Sequence, residues 1–155
     1  MRILALGGSG GMGRFAVETS MHFENIDRIV VADLNGDAAI DFAKSMNDKV
    51  VGIGLDVTNL DALKEQMEHA DVVINTVGPF FKYGTPILQA ALDSGCDYLD
   101  INDDWEPTLN MLEFHEKAEN NSKTAILGMG ASPGLTNMLG AAALGELDEV
   151  ETLYT

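Results

Sequence analysis

A single cysteine, Cys96, stands among 155 residues, so an internal disulfide is excluded, and no grouping of Cys and His has metal-site spacing. Nothing calls for an oxidising compartment or a bound metal. Basic residues are also scarce: 9 Lys and Arg face 25 Asp and Glu, a formal net charge of −16, and such a field repels nucleic acid and anionic lipid. Long hydrophobic runs are missing as well. Only Arg2 precedes the apolar run Ile3 to Leu6, which passes straight into glycines, far short of a signal peptide or a membrane span. The expectation is a cytoplasmic protein that engages neither nucleic acid nor membrane.

What is present suits a folded domain: 46% hydrophobic and 22% charged residues, at a length that supports one compact core. Short aliphatic and β-branched runs recur at Arg2 to Leu6, Arg28 to Asp33, Val50 to Asp56, Asp71 to Thr76, Asp97 to Ile101 and Thr124 to Leu127, each of strand length. Amphipathic stretches separate them. After Asp56, Leu60, Leu63 and Met67 form one apolar stripe, while Asp61, Lys64, Glu65 and Glu68 occupy the other faces. Thr85 with Pro86 predicts a helix start and Gly95 its end; Ser132 with Pro133, then Gly145, repeat the pattern. Methionines at helical spacing, such as Met111 and Met138, read as core. This alternation predicts parallel strands joined by right-handed crossovers and buried on both faces. The fold class is α/β, a doubly wound, three-layer Rossmann domain over 1–155. From Val150 the chain reads as a strand just begun, so the expectation is the N-terminal part of a longer enzyme.

Gly7-Gly8-Ser9-Gly10-Gly11-Met12-Gly13 follows the first strand and opens the first helix, placing Gly8, Gly10 and Gly13 in a G-x-G-x-x-G pattern in its strand-turn-helix setting. Gly8 serves the tight turn, Gly10 the approach of backbone to a pyrophosphate, and Gly13 close helix packing. Exposed amides and the positive end of the helix attract phosphates without a lysine. Asp33 closes the second strand, where a carboxylate accepts from the ribose hydroxyls of an adenosine; with Leu34 and Asn35 after it and no Arg, NAD is favoured over NADP. The bland reading of Asp33 is a helix cap, which Asn35 supplies equally well. Asp56 and Val57 end the third strand and suit an adenine edge, or Asp56 or Thr58 caps the next helix. Asn75, Thr76, Val77, Gly78 and Pro79 follow the fourth strand, bordering the nicotinamide-side ribose or forming an ordinary turn.

Three further segments carry a family resemblance: Val73-Ile74-Asn75-Thr76-Val77-Gly78-Pro79-Phe80, Gly95-Cys96-Asp97-Tyr98-Leu99-Asp100, and Gly128 through Asn137 with its Pro133-Gly134 step. With the glycine loop, they resemble the N-terminal nucleotide-binding domain of saccharopine dehydrogenase-like oxidoreductases, a group that includes lysine dehydrogenases. The resemblance implies NAD(P)-linked hydride transfer at the amino or imino group of a lysine-like or opine-like amino acid. It also implies a second domain, supplying substrate pocket and dimer contacts, and hence a homodimer in the full-length protein. Ser132 stands where saccharopine-forming members often carry Asp, which points away from saccharopine itself.

Asp100, Asn102, Asp103, Asp104 and Glu106 crowd the end of the fifth strand, where ligands bind in parallel sheets; Asp100 and Asp103 are candidates for a substrate ammonium, against a solvated start of a helix. Tyr83, beside Lys82, is a candidate substrate contact or proton donor. Neither Tyr83 nor Tyr98 has a Lys four positions later, so a short-chain-dehydrogenase pair is absent. His22, His69 and His115 are unclustered and read as surface or helix-end residues, and Cys96 reads as a small core residue. No residue declares itself catalytic. Two functions stand: the cofactor portion of an amino-acid oxidoreductase, and a non-catalytic NAD(P)-sensing domain.

Overall fold

The computed structural model describes residues 1–154 and contains one six-stranded parallel sheet, ordered β3-β2-β1-β4-β5-β6. The strands are β1 Arg2–Leu6, β2 Arg28–Asp33, β3 Val50–Gly54, β4 Val72–Asn75, β5 Asp97–Asp100 and β6 Ala125–Ile126. The helices are α1 Gly11–Ser20, α2 Gly36–Lys44, α3 Leu60–Met67, α4 Phe80–Asp93, α5 Trp105–Leu112, α6 His115–Asn120 and α7 Thr136–Gly145. All but the first two strands are shorter than predicted by one to two residues at an end. The doubly wound α/β class stands.

Alternation along β1 explains why its run is apolar throughout. Leu4 and Leu6 enter a core with Leu63, Met67, Ile87, Leu88, Leu92 and Met111 from α3, α4 and α5. Ile3 and Ala5 point the other way, to Val17, Ala39 and Phe42 of α1 and α2. Burying each large aliphatic side chain contributes about 1.5–3 kcal/mol. Helix starts are set by side chains: Asn35 Oδ1 accepts the Ala38 amide at 3.1 Å and Asn59 Oδ1 the Ala62 amide at 3.2 Å. At the end of α4, Gly95 takes φ +73°, with its amide donating to Leu92 and that of Cys96 to Ala91, a Schellman closure as predicted.

Four expectations need correction. Helix α4 starts at Phe80 with Pro79 as its cap, so Pro86 lies inside it instead of opening it. Burial of Phe80 and Gly84, the latter under Met111, carries the helix upstream of Thr85. Helix α7 begins at Thr136, because Ser132 is extended (φ −133°, ψ 133°) inside a wide turn over Ala131–Leu135, and Gly145 is its last residue. Met111 is core, but Met138 is 60% exposed, since only Gly140 of α7 is buried. Val150 to Tyr154 pairs with no strand and is exposed. Among the described residues no helix is long and apolar enough to cross a membrane.

Candidate functional site

The chain leaves β1 for β2 on one side and continues from β3 to β4 on the other, so the strand order reverses between β1 and β4. A crevice at their carboxyl ends is the place where open α/β sheets bind ligands. The glycine loop sits there. The left-handed residue of its turn is Gly7 (φ +69°), one position earlier than the motif spacing predicts. Gly8 is needed for closeness instead: a Cβ on it would stand 2.8 Å from the Ala5 carbonyl oxygen. Gly13 is tighter still, because a Cβ there would lie 2.6 Å from Gly8 Cα and inside the Gly7 carbonyl. Gly10 caps α1 and Gly11 opens it; a Cβ on Gly10 would meet only Gly7 O, at 3.2 Å, and one on Gly11 nothing within 4 Å.

Among the described residues the amides of Gly11, Met12 and Gly13 donate to no protein acceptor. Three open donors at the positive end of a ten-residue helix, reached over bare glycine, fit a pyrophosphate. Thr76 bolts this loop to β4, its hydroxyl donating to Leu6 O at 2.9 Å.

Beside the loop runs a groove of about 350 Å³, lined by Gly7, Gly10, Asp33, Leu34, Asp56, Val57, Thr58, Thr76, Val77, Gly78 and Tyr83. Seven of the thirteen predicted cofactor contacts thus line one groove; Gly8, Ser9, Gly11, Met12, Gly13 and Pro79 do not. Asn35 caps α2, so the capping reading of Asp33 fails. Asp33 instead faces the loop, its Oδ2 accepting from Ser9 Oγ at 2.7 Å and its Oδ1 from the Asn35 amide at 3.2 Å. Asp56 does not cap α3 either, a task done by Asn59. Its Oδ1 accepts from the Thr58 hydroxyl (2.7 Å) and amide (2.9 Å), bonds that hold its carboxyl below the usual range. Tyr83 lines this same groove from α4, with the Lys82 ammonium 4.8 Å from its ring centroid.

Asp100 is the clearest correction. It is wholly buried, neither substrate-facing nor solvated. Its Oδ1 accepts from the amides of Asn102 (3.1 Å) and Gly128 (2.8 Å), and its Oδ2 from the Tyr98 hydroxyl (3.0 Å), which in turn accepts from Asn75 Nδ2 (2.9 Å). Burial pushes the Asp100 carboxyl and the Tyr98 hydroxyl up from their ordinary values. Asn75 Oδ1 accepts the Val77 amide at 3.0 Å, so this chain of bonds also fixes the groove wall. Sequence reasoning missed the network. The signal was parity: Tyr98 and Asp100 stand two apart on β5 and so share its buried face.

Asp103 is exposed, in a separate shallow cavity with Trp105, Ser132 and Pro133. Another hollow, about 550 Å³, flanks β6 between α4, α5 and α6. His22, His69 and His115 are exposed and apart, the first two just past helix ends. Cys96 is buried, its thiol donating to Met67 O at 3.2 Å and its pKa pushed up by burial.

Similarity searches agree with this geometry. The chain is 26% identical over 141 residues to a protein of Arabidopsis thaliana named "Probable mitochondrial saccharopine dehydrogenase-like oxidoreductase", the match covering 83% of this chain and 31% of the relative. It is 36% identical over 85 residues to the human saccharopine dehydrogenase-like oxidoreductase, covering 52% of this chain and 19% of that one. The chain thus spans about a third of these relatives' length or less. Among solved structures, the apo saccharopine dehydrogenase (L-Glu forming) of Saccharomyces cerevisiae superposes with a TM-score of 0.79 at 22% identity, over 94% of this chain and 31% of that one. Its fold is shared. Residues 3–126 match the family described as the saccharopine dehydrogenase NADP binding domain, and the chain belongs to that family of oxidoreductase cofactor domains.

Proposed function

We propose that this chain is the cofactor-binding portion of an oxidoreductase that transfers hydride between NAD and the amino or imino carbon of a lysine-like or opine-like amino acid. The observation that carries the cofactor half is the presence of three unpaired helix amides at the end of the glycine loop, which itself borders the groove lined by the Asp33 carboxylate. Asp33 accepts from a free 2′-hydroxyl and repels a 2′-phosphate, so NAD is the preferred ligand. The substrate half rests on kinship with the saccharopine dehydrogenase-like relatives, and with it goes the proposal that the full-length protein is a homodimer acting on a small amino-acid substrate. Fluorescence titration with NADH and NADPH tests the cofactor half: NADH binds more tightly, and Asp33→Ala narrows the gap. Tighter binding of NADPH refutes the preference. For the substrate half, the complete gene product should reduce or oxidise NAD(H) with lysine-like amino acids and their imines, while the 155-residue chain alone should not.

A further inference from the structure

Three N–H groups lie between the end of β4 and Pro79. That of Thr76 donates to Leu6 O and that of Val77 to Asn75 Oδ1, each at 3.0 Å, while that of Gly78 donates to no protein acceptor among the described residues. Gly78 lines the groove, so it carries this wall's free donor for a ligand. The arrangement depends on Asn75, whose carboxamide has an accepting end and a donating end, and only the accepting end can hold the Val77 amide.

Asn75 is oriented from the next strand. The chain of bonds that it joins has one-way donors at both ends: the Val77 amide at one, and at the other the amides of Asn102 (3.1 Å) and Gly128 (2.8 Å), which both go to Asp100 Oδ1. A carboxylate at Asp100 only accepts, so the Tyr98 hydroxyl gives its proton to Oδ2 (3.0 Å) and accepts from Asn75 Nδ2 (2.9 Å), which leaves Asn75 Oδ1 for Val77. Asn75, Tyr98 and Asp100 are all buried, so solvent relieves no mismatch among them. Asp100 does not line the groove. We propose that Asp100 is a positioning residue for the cofactor, acting through Tyr98 and Asn75 to hold the Val77 amide in the protein and leave that of Gly78 for the dinucleotide.

Asp100→Asn keeps the shape and removes the direction. With its Nδ2 toward Tyr98, the tyrosine proton loses its acceptor unless Asn75 turns over and sets its own Nδ2 against the Val77 amide; with its Oδ1 toward Tyr98, its Nδ2 faces the amides of Asn102 and Gly128. Adding Asn75→Asp reverses the chain and satisfies it: the new carboxylate accepts from Val77 and Tyr98, and Tyr98 accepts from the amide at position 100. This inference rests on the groove being a dinucleotide site, which NADH titration of the wild-type chain tests by itself; if wild type does not bind NADH, both readings fall. Titration is done well below the melting temperature of each variant, where a destabilised but folded protein keeps its affinity unless the site itself has changed. Asp100→Asn should weaken NADH about fivefold, the cost of ordering a loosened wall, and speed hydrogen exchange at the Val77 amide. Asn75→Asp with Asp100→Asn should bring both within about twofold of wild type. If folded Asp100→Asn binds NADH as wild type does, or if the reversed pair folds without regaining affinity, the inference falls while the groove stands. Tyr98→Phe, which breaks the chain in its middle, carries the comparison if Asp100→Asn does not fold: it too should weaken NADH about fivefold, and unchanged affinity overturns the proposal.

Discussion

Gly10 and Gly13 belong to one motif, yet the structure assigns them different costs when a methyl group is added. At Gly13 a Cβ would lie 2.6 Å from Gly8 Cα and collide with the Gly7 carbonyl, both of them backbone. Backbone on both sides leaves no side chain to swing away, so α1 must shift against the loop, an overpacking cost of about 1–3 kcal/mol. For a domain of this size that corresponds to a melting temperature lower by about 2–12 °C. At Gly10 the only neighbour is Gly7 O at 3.2 Å, and φ is −73°, which any residue adopts. Ala is a poorer N-cap than Gly by a few tenths of a kcal/mol, about 1 °C. Gly10 lines the groove beside the open amides of Gly11, Met12 and Gly13, so an added methyl group should obstruct a phosphate bound there.

The expected pattern is a crossed one. Gly10→Ala should weaken NADH binding at least about tenfold, or about 1.4 kcal/mol, with the apo melting temperature nearly unchanged. Gly13→Ala should lower the apo melting temperature and weaken binding as a consequence. Calorimetric melting without ligand and fluorescence titration with NADH, on both variants, measure the two axes. If Gly10→Ala melts as early as Gly13→Ala, the Cβ distances are a poor guide to the loop. If neither variant loses NADH affinity, the loop is no phosphate cradle.

Three further outcomes are expected. Tyr98→Phe strands the Asp100 carboxyl and the Asn75 amide in the core, costing about 3 kcal/mol. Because Tyr98 donates to the Asp100 carboxylate, the loss should shrink as pH falls and the carboxyl, whose pKa burial raises, takes up its proton; equal losses at neutral and acid pH, by denaturant titration, would count against an ionised Asp100. Asp71, held at about 2 by hydrogen bonds from Arg2, has a folded value below its unfolded one, so its stabilisation is present above about pH 4 and lost as pH falls towards 2. Asp71→Asn should accordingly melt slightly earlier than wild type at pH 7 and level with it at pH 2, the gap narrowing in salt because the pair is half exposed. Cys96 should resist an aromatic disulfide reagent until denaturant opens the core; rapid labelling of the native protein would contradict its burial.

The architecture was legible because its determinants are local in sequence. Apolar runs mark the strands, and Asn35 and Gly95 mark helix ends with bonds to residues within four positions, while the cap of α3 falls on Asn59 instead of Asp56 or Thr58. The readings that failed depend on contacts from afar. Pro86 looks like a helix start until Phe80 and Gly84 are seen buried, Gly84 beneath Met111, some thirty residues on. Val150 onward has strand composition, but a strand also needs a neighbour, and Val150 to Tyr154 pairs with none.

The two acids at strand ends show how far site reading from sequence can go. Asp33 and Asp100 each close a parallel strand at the ligand-binding edge, and each accepts an amide two residues on. What separates them is the next piece of chain. After β2, Leu34 turns out to solvent and α2 starts at once, so Asp33 meets only Ser9 and the Asn35 amide and still lines the groove. After β5, the backbone leaving β6 folds back across the strand end, with Gly128 donating to the Asp100 carboxylate and Met129 to its carbonyl. That lid of backbone, together with Tyr98 from the same strand face, converts a carboxylate that reads as a ligand site into a buried anchor. Spacing along the sequence locates the edge of the sheet; only the return of a segment 28 residues later decides which of its acids still faces a ligand.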